Sequence, residues 1–199
     1  NTSGPSVSVL STTSITCNGG TNGATSVNGT GGTGTLTYSW SPVGGSNSTA
    51  SGLSAGTYTC LVTDANNCTT STVVTITEPA AVTATSTITP TACGLTNGSA
   101  TITASGGVGS YSYSWTPSGG TANNASNLGA GGYTCTITDG NGCANPVPIF
   151  VTTSTGPNVS IASSSSVTCN GGNNGTAAVN ASGGGGTYTY TWSSLGVGN

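Results

Sequence analysis

The sequence of 199 residues has no lysine, arginine, histidine or methionine, a single phenylalanine, and only three acidic residues, Asp64, Glu78 and Asp139. Each shortage excludes a class of chemistry. General acid–base catalysis needs a titratable group tuned near the working pH, usually His, Lys or a perturbed carboxylate. The three carboxylates here stand alone in their neighbourhoods, so the chain reads as non-enzymatic, with no catalytic, cofactor-binding or metal-ligating set. Without a cation it cannot neutralise phosphates, which dominate nucleic-acid affinity, nor pair with an anionic lipid surface. No apolar run approaches the roughly 20 residues of a membrane-spanning helix, so neither nucleic acid nor membrane insertion is expected. The first residue is Asn1, with no basic, apolar leader before it, which reads as mature or excerpted material. The lack of lysine also rules out intramolecular Lys–Asn cross-links.

What is present is glycine (34 residues) and small polar side chains, together well over half of the molecule, around an apolar fraction of 33%. Such a composition suggests disorder unless the apolar residues are regularly placed, and here they recur. Cys17, Cys93 and Cys169 are spaced by 76 residues, and Trp40, Trp115 and Trp192 by 75 and 77. Cys60 recurs as Cys135 and Cys68 as Cys143. An internal period of about 76 residues divides the chain into residues 1–77, 78–154 and a partial third unit, 155–199. That third unit carries no counterpart of the segment from Leu53 to Thr77, so it is expected to be completed by further sequence or by a neighbouring chain.

Within each unit, β-branched and aromatic residues alternate with hydroxyl residues at period two, broken by Gly and Asn turns, which is the signature of strands. Leu36-Thr-Tyr-Ser-Trp40, Tyr111-Ser-Tyr-Ser-Trp115 and Tyr188-Thr-Tyr-Thr-Trp192 place large residues on one face and hydroxyls on the other. About seven short strands with turns every 8 to 12 residues fit an all-β architecture of tandem immunoglobulin-like sandwiches, in which a mid-sequence Trp and a Tyr two residues before a Cys are expected features. The predicted inward residues are Trp40, Tyr58, Cys60 and Val62 in the first unit, Trp115, Tyr133, Cys135 and Ile137 in the second, and Trp192 in the third. A sandwich of this size is marginally stable alone and needs staples or neighbours.

The seven cysteines lack C-x2-C pairs and have no His beside them, so they read as disulfide formers in an oxidising, extracellular setting rather than as a zinc cluster. Cys17 is expected to pair with Cys60, or else with Cys68. Three cysteines per unit leave one over, either a small buried hydrophobe or a link to an adjacent unit or chain. Cys169 has no downstream partner in this sequence. Asp64 and Asp139 sit in Asp-Ala-Asn-Asn and Asp-Gly-Asn-Gly turns, where Asp caps its own turn. A calcium ion, which takes six to eight oxygens, would find one carboxylate per repeat too few. Glu78, before Pro79, reads as a solvated linker residue. Nine Asn-x-Ser/Thr sequons occur, at Asn1, Asn28, Asn47, Asn67, Asn97, Asn124, Asn158, Asn174 and Asn180. Glycans at such sites would hydrate a surface that carries almost no charge.

The succession Cys17-Asn-Gly-Gly-Thr-Asn-Gly23, Tyr38-Ser-Trp-Ser-Pro42, Gly52-Leu-Ser-Ala-Gly-Thr-Tyr58, Val62-Thr-Asp-Ala-Asn-Asn-Cys68 and Val74-Thr-Ile-Thr-Glu-Pro79 resembles the SprB-type repeat of large secreted bacterial surface adhesins. The second unit departs from it at Cys93-Gly-Leu and Asp139-Gly-Asn-Gly-Cys143, the third carries only its first half, and Cys60 and Cys135 stand where that pattern has Val or Thr. The resemblance implies an immunoglobulin-like fold, an extracellular or cell-surface location, and a non-enzymatic structural or adhesive role. Two forms of that role are a segment of a surface adhesin and the subunit of a filament; the open sheet edge that a unit cut after Trp192 would leave adds the expectation of a homo-oligomer or filament built through neighbouring repeats. The competing expectation is a carbohydrate-binding module that stacks sugars on exposed aromatics.

Overall fold

In the computed structural model, which describes residues 4–184 and 187–193, the described chain is strands and turns with no helix. The described residues form fourteen strands. The first six are β1 (Pro5–Thr13), β2 (Gly23–Gly31), β3 (Thr37–Ser41), β4 (Thr49–Leu53), β5 (Gly56–Thr63) and β6 (Thr69–Ile76). They build two antiparallel three-stranded sheets, β1-β2-β4 and β3-β5-β6. The next six are β7 (Thr83–Thr89), β8 (Gly98–Ser105), β9 (Ser112–Thr116), β10 (Asn124–Leu128), β11 (Gly131–Thr138) and β12 (Ala144–Val151). They repeat the arrangement as β7-β8-β10 and β9-β11-β12. Each sandwich therefore has six strands rather than the seven anticipated. The third repeat contributes β13 (Pro157–Ser165) and β14 (Thr176–Gly183), paired with a register shift between Ile161 and Ser163 that reproduces the one between Val9 and Ser11.

The period-two pattern explains the layering. Thr25 and Val27 on β2, Trp40 on β3, Ala50 and Leu53 on β4, Tyr58, Cys60 and Val62 on β5, and Val74 and Ile76 on β6 all point between the sheets and are buried. The second core is built alike from Ala100, Ile102, Trp115, Ala125, Leu128, Cys135, Ile137, Ile149 and Val151, with Tyr133 half-buried against it. Each large aliphatic side chain removed from water contributes about 1.5 to 3 kcal/mol. Both cores are small, and few of these residues can be lost.

Three polar details lock the sandwiches. The indole N–H of Trp40 donates to the Asn47 carbonyl and that of Trp115 to the Ala122 carbonyl, both at 2.9 Å, so each ring is buried without an unsatisfied donor. The Tyr58 hydroxyl donates to the Ser54 carbonyl (3.0 Å) and the Tyr133 hydroxyl to the Gly129 carbonyl (3.2 Å), the tyrosine corner of immunoglobulin-like sandwiches. Beside each Trp, Gly44 and Gly119 adopt φ of 136°. A Cβ on either would lie 2.8 Å from the Cβ of the Trp, so the turn after β3 and β9 excludes a side chain.

Trp192 departs from expectation. It lies outside the described strands and is 63% exposed, against 6% for Trp40 and 5% for Trp115. The physical reason is that no second sheet faces β13 and β14 among the described residues. Val159 and Ile161 are exposed on the same repeat.

Candidate functional site: a covalent junction between two sandwiches

The hairpin joining β5 to β6 is organised by one carboxylate. Asp64 Oδ2 accepts from the Thr33 amide, and Oδ1 accepts from the amides of Asn66 and Cys68, all at 2.9 Å. In the second repeat, Asp139 Oδ2 accepts from Val108 and Oδ1 from Asn141 and Cys143, at 2.8 to 2.9 Å. The Thr33 amide, then those of Cys68 and Asn66, hold the Asp64 carboxyl below the usual carboxylate range against a smaller opposing effect of burial. For Asp139 burial is the largest single influence and acts upward, yet the amides of Cys143, Val108 and Asn141 together bring the carboxyl below that range. Both oxygens of each carboxylate are thus committed to backbone donors, which is the turn-capping role.

These hairpins lie at one end of each sandwich. A Cβ at Gly32 would lie 2.9 Å from the Asp64 Cβ, and one at Gly4 would lie 4.0 Å from the Cys68 Cβ, so Cys68 sits where its repeat begins. The loop from β1 to β2, which carries Cys17, lies at the other end. There the Ile15 amide donates to the Thr77 carbonyl (2.9 Å), and a Cβ at Gly23 would meet Ile76 at the end of β6. An eight-residue strand such as β5 spans about 26 Å. Cys17 and Cys68 of one repeat are therefore far beyond the roughly 7 Å between Cα atoms that a disulfide tolerates.

The bond that forms crosses the junction instead. Cys17 is joined to Cys143, the hairpin cysteine of the next repeat, with a Cα–Cα distance of 5.5 Å and a sequence separation of 126. Neither pairing anticipated for Cys17 occurs. Cys60 points into the first core and is fully buried, whereas Cys17 is on an end loop, so the two never meet. Cys135 is buried in the same way. Burial pushes both thiols above their ordinary pKa, with backbone hydrogen bonds at Ser39 and Ser114 opposing it, and makes them inert packing residues. Cys68, Cys93 and Cys169 are free and exposed.

Polar contacts reinforce the joint. The Asn141 side-chain amide donates to the Thr16 carbonyl (3.0 Å), and that of Asn18 donates to the Pro79 carbonyl (3.1 Å). Glu78 is more than a solvated linker residue, because its carboxylate accepts from the Gly19 amide at 2.6 Å and ties the linker to the loop carrying Cys17. Between the repeats runs a shallow cleft of about 340 Å³, lined by the disulfide, Pro79, Ala81 and Asp139 among others. Sequence reasoning allowed a link to an adjacent unit but did not assign it to Cys17 and Cys143, and it missed the tie made by Glu78 and the reach of Asn141. The signal that could have found the bond is the odd cysteine count per unit, read together with the opposite ends at which a sandwich places these two loops.

The remaining candidate residues are distributed over the surface. Asn28, Asn47, Asn67, Asn97, Asn124, Asn158, Asn174 and Asn180 are exposed, and Asn1 lies outside the described residues. Asn174 uses its side-chain nitrogen to donate to Thr168 Oγ1 (2.9 Å), and Asn97 Oδ1 accepts from the Ala92 amide (2.8 Å), so both clamp loops. Trp40 and Trp115 are core residues and offer no stacking platform for a sugar. No group of three or more His, Cys, Asp or Glu residues is placed to hold a metal among the described residues.

No curated protein matches the chain. Among solved structures it is similar to the N-terminal eight Ig domains of Down Syndrome Cell Adhesion Molecule isoform 1.30.30, at 15% identity and TM-score 0.38, covering 76% of this chain and 25% of that one. It is also similar to Dpr2 Ig1-Ig2 in complex with DIP-Theta Ig1-Ig3, at 12% identity and TM-score 0.32, covering 80% of this chain and 70% of that one. The chain spans about a quarter of the length of the first, and similarity at this level carries no functional weight. The SprB repeat family matches residues 9–45, 85–120 and 161–197. Those three stretches occupy just over half of the sequence, hold Cys17, Cys93 and Cys169 together with Trp40, Trp115 and Trp192, and make the chain a member of the SprB repeat family.

Proposed function

We propose that this chain is a non-enzymatic, extracellular, load-bearing array, a segment of a surface adhesin or the subunit of an extracellular filament. Its units correspond to residues 1–77, 78–154 and 155–199. The observation that carries this reading is the disulfide from Cys17 to Cys143, which joins the far end of one sandwich to the near end of the next. Covalent end-to-end coupling resists extension, which is what a stalk or fibre under tension needs. Sandwiches stacked so that each touches its neighbours form a quasi-one-dimensional assembly. The absence of positive charge and the wealth of hydroxyls suit a hydrated surface structure that repels polyanions. Exposed Val159, Ile161 and Trp192 on the third repeat support association through that repeat, with a further segment or a second copy of this chain.

Electron microscopy of the native material tests the reading. Filaments, or rods with an axial repeat of one or two sandwiches on the cell exterior, are expected. Compact particles confined to the cell interior would overturn it.

A further inference from the structure

The loop that carries Cys17 recurs at Cys169, and the hairpin that carries Cys143 recurs at Cys68, with the same internal geometry but without a bonded partner, while the Cys93 loop turns differently, its Leu95 amide donating to the Ala92 carbonyl. In the loop, the Gly20 amide donates to the Cys17 carbonyl and the Gly172 amide to the Cys169 carbonyl, both at 2.9 Å. Asn22 clamps Thr16 through its amide and hydroxyl, and Asn174 clamps Thr168 through the same atoms. In the hairpin, the Asn67 amide donates to the Asp64 carbonyl as the Gly142 amide donates to the Asp139 carbonyl, both at 3.0 Å. Asn66 stands two residues before Cys68, as Asn141, which reaches across the formed junction to Thr16, stands two residues before Cys143. Both halves of the joint are therefore built in advance of bonding.

A second observation, independent of those loops, locates the missing partners. Cys68 lies beside Gly4, where the first repeat begins, and Gly156 is the equivalent position of the third repeat, since Pro5 and Pro157 pair identically with Gly31 and Gly183. A Cβ at Gly156 would lie 3.7 Å from the Cys93 sulfur. A hairpin cysteine placed on the third repeat as Cys68 is placed on the first would thus meet Cys93. The formed junction obeys the same rule, because Ala81, at the start of the second repeat, lines the cleft beside Cys17 and Cys143.

We propose that Cys68, Cys93 and Cys169 are the unclosed halves of this same joint. Cys68 forms a disulfide with the loop cysteine of a preceding SprB repeat, and Cys93 and Cys169 each form one with the hairpin cysteine of a following repeat, docked head to tail. The partner is a repeat of the same kind, and pairing is heterotypic, loop to hairpin. The oxidant is a low-molecular-weight disulfide. Two protein thiols and one such disulfide give one protein disulfide and two small thiols through a mixed-disulfide intermediate, with the protons retained on the released thiols. The inference rests on the array reading and adds a directional rule for closing each junction.

The full 199-residue chain, concentrated in a buffer of oxidised and reduced glutathione and then alkylated, supplies a second copy as the partner. Peptide mapping is expected to show Cys68 of one copy bonded to Cys169 of another, at least tenfold over Cys68 to Cys68 or loop-to-loop links, while Cys93, whose site the third repeat of its own chain already adjoins, stays alkylated. Non-reducing electrophoresis is expected to show a ladder of oligomers. The C68S variant, altered at an exposed position, is expected to lose that ladder and keep the Cys17 to Cys143 bond. Homotypic links at comparable yield, or all three thiols left alkylated, would overturn the inference. Either result with the Cys17 to Cys143 bond intact leaves the array reading standing, whereas native material without rods or filaments defeats that reading by itself.

Discussion

Tension applied to the two ends of this chain does not run through all of it. Force entering at β1 reaches Cys17, crosses the sulfur bridge to Cys143 and leaves along β12, so β2 to β11 lie outside the loaded path. The bridged residues are 126 apart, and at roughly 3.4 Å per extended residue the shielded segment represents about 430 Å of contour length. Single-molecule stretching between terminal handles reads this directly. The oxidised chain is expected to yield only the segments outside the bridge, and the C143S variant, or the same chain in reductant, about 430 Å more. Equal contour lengths in oxidised and C143S chains would refute the assignment of the bridge as the mechanical path. The bridge also restricts the unfolded chain. Chain-entropy treatment of a loop of this length gives about 5 kcal/mol, so C143S should lower the denaturation midpoint of the coupled pair of sandwiches.

Further outcomes follow from the same geometry. Native monomeric chain treated with an alkylating agent should label Cys68, Cys93 and Cys169, while Cys60 and Cys135 react only after denaturation; modification of either buried thiol in the folded state would contradict the core assignment. The Y58F variant loses the bond to the Ser54 carbonyl and should be less stable by about 0.5 to 1.5 kcal/mol by chemical denaturation. Acrylamide should quench the Trp192 fluorescence and spare Trp40 and Trp115, so that W192F removes the accessible component. Asp64 and Asp139 have folded pKa values below their unfolded ones, so their stabilisation is complete above the unfolded value of about 3.9 and is lost as pH falls through the folded values. Denaturation midpoints should therefore hold steady from about pH 5 to 8 and fall in acid, with a shallower acid slope in D64N and D139N.

The fold was legible because alternation reports which face of a sheet a residue occupies. Trp40, Tyr58, Cys60 and Val62 all lie on the face that parity assigns them, and the same parity places their counterparts in the second repeat. The Asp turns were legible in part for a related reason: Asp64 Oδ1 acts on amides within four residues of itself, and local chemistry needs no tertiary knowledge, whereas the reach of Oδ2 to the Thr33 amide, 31 residues away, was not legible. Which partner Cys17 takes was not legible, because alternation says nothing about which end of a sandwich a loop occupies. Cys17 and Cys68 are 51 residues apart in sequence and at opposite poles in space, while Cys17 and Cys143 are remote in sequence and bonded. Trp192 shows the complementary limit, since parity assigns a face but burial requires a second sheet over it.

The bridge from Cys17 to Cys143 also bears on how the molecule survives among proteases. Enzymes that cut after Lys or Arg find no site anywhere in the sequence. An enzyme that cuts any one peptide bond between the bridged residues fails to part the chain, because both fragments stay tethered through sulfur. The ring closed by the bridge contains 126 residues of separation, more than the spacing of about 76 between successive loop cysteines. Where every junction is closed alike, consecutive rings overlap like roof tiles, and no single backbone position lies outside all of them. Such an array is parted only by three cuts spread over the overlapping rings or by reduction, so a molecule exposed to a hostile exterior can accumulate isolated nicks and keep its length.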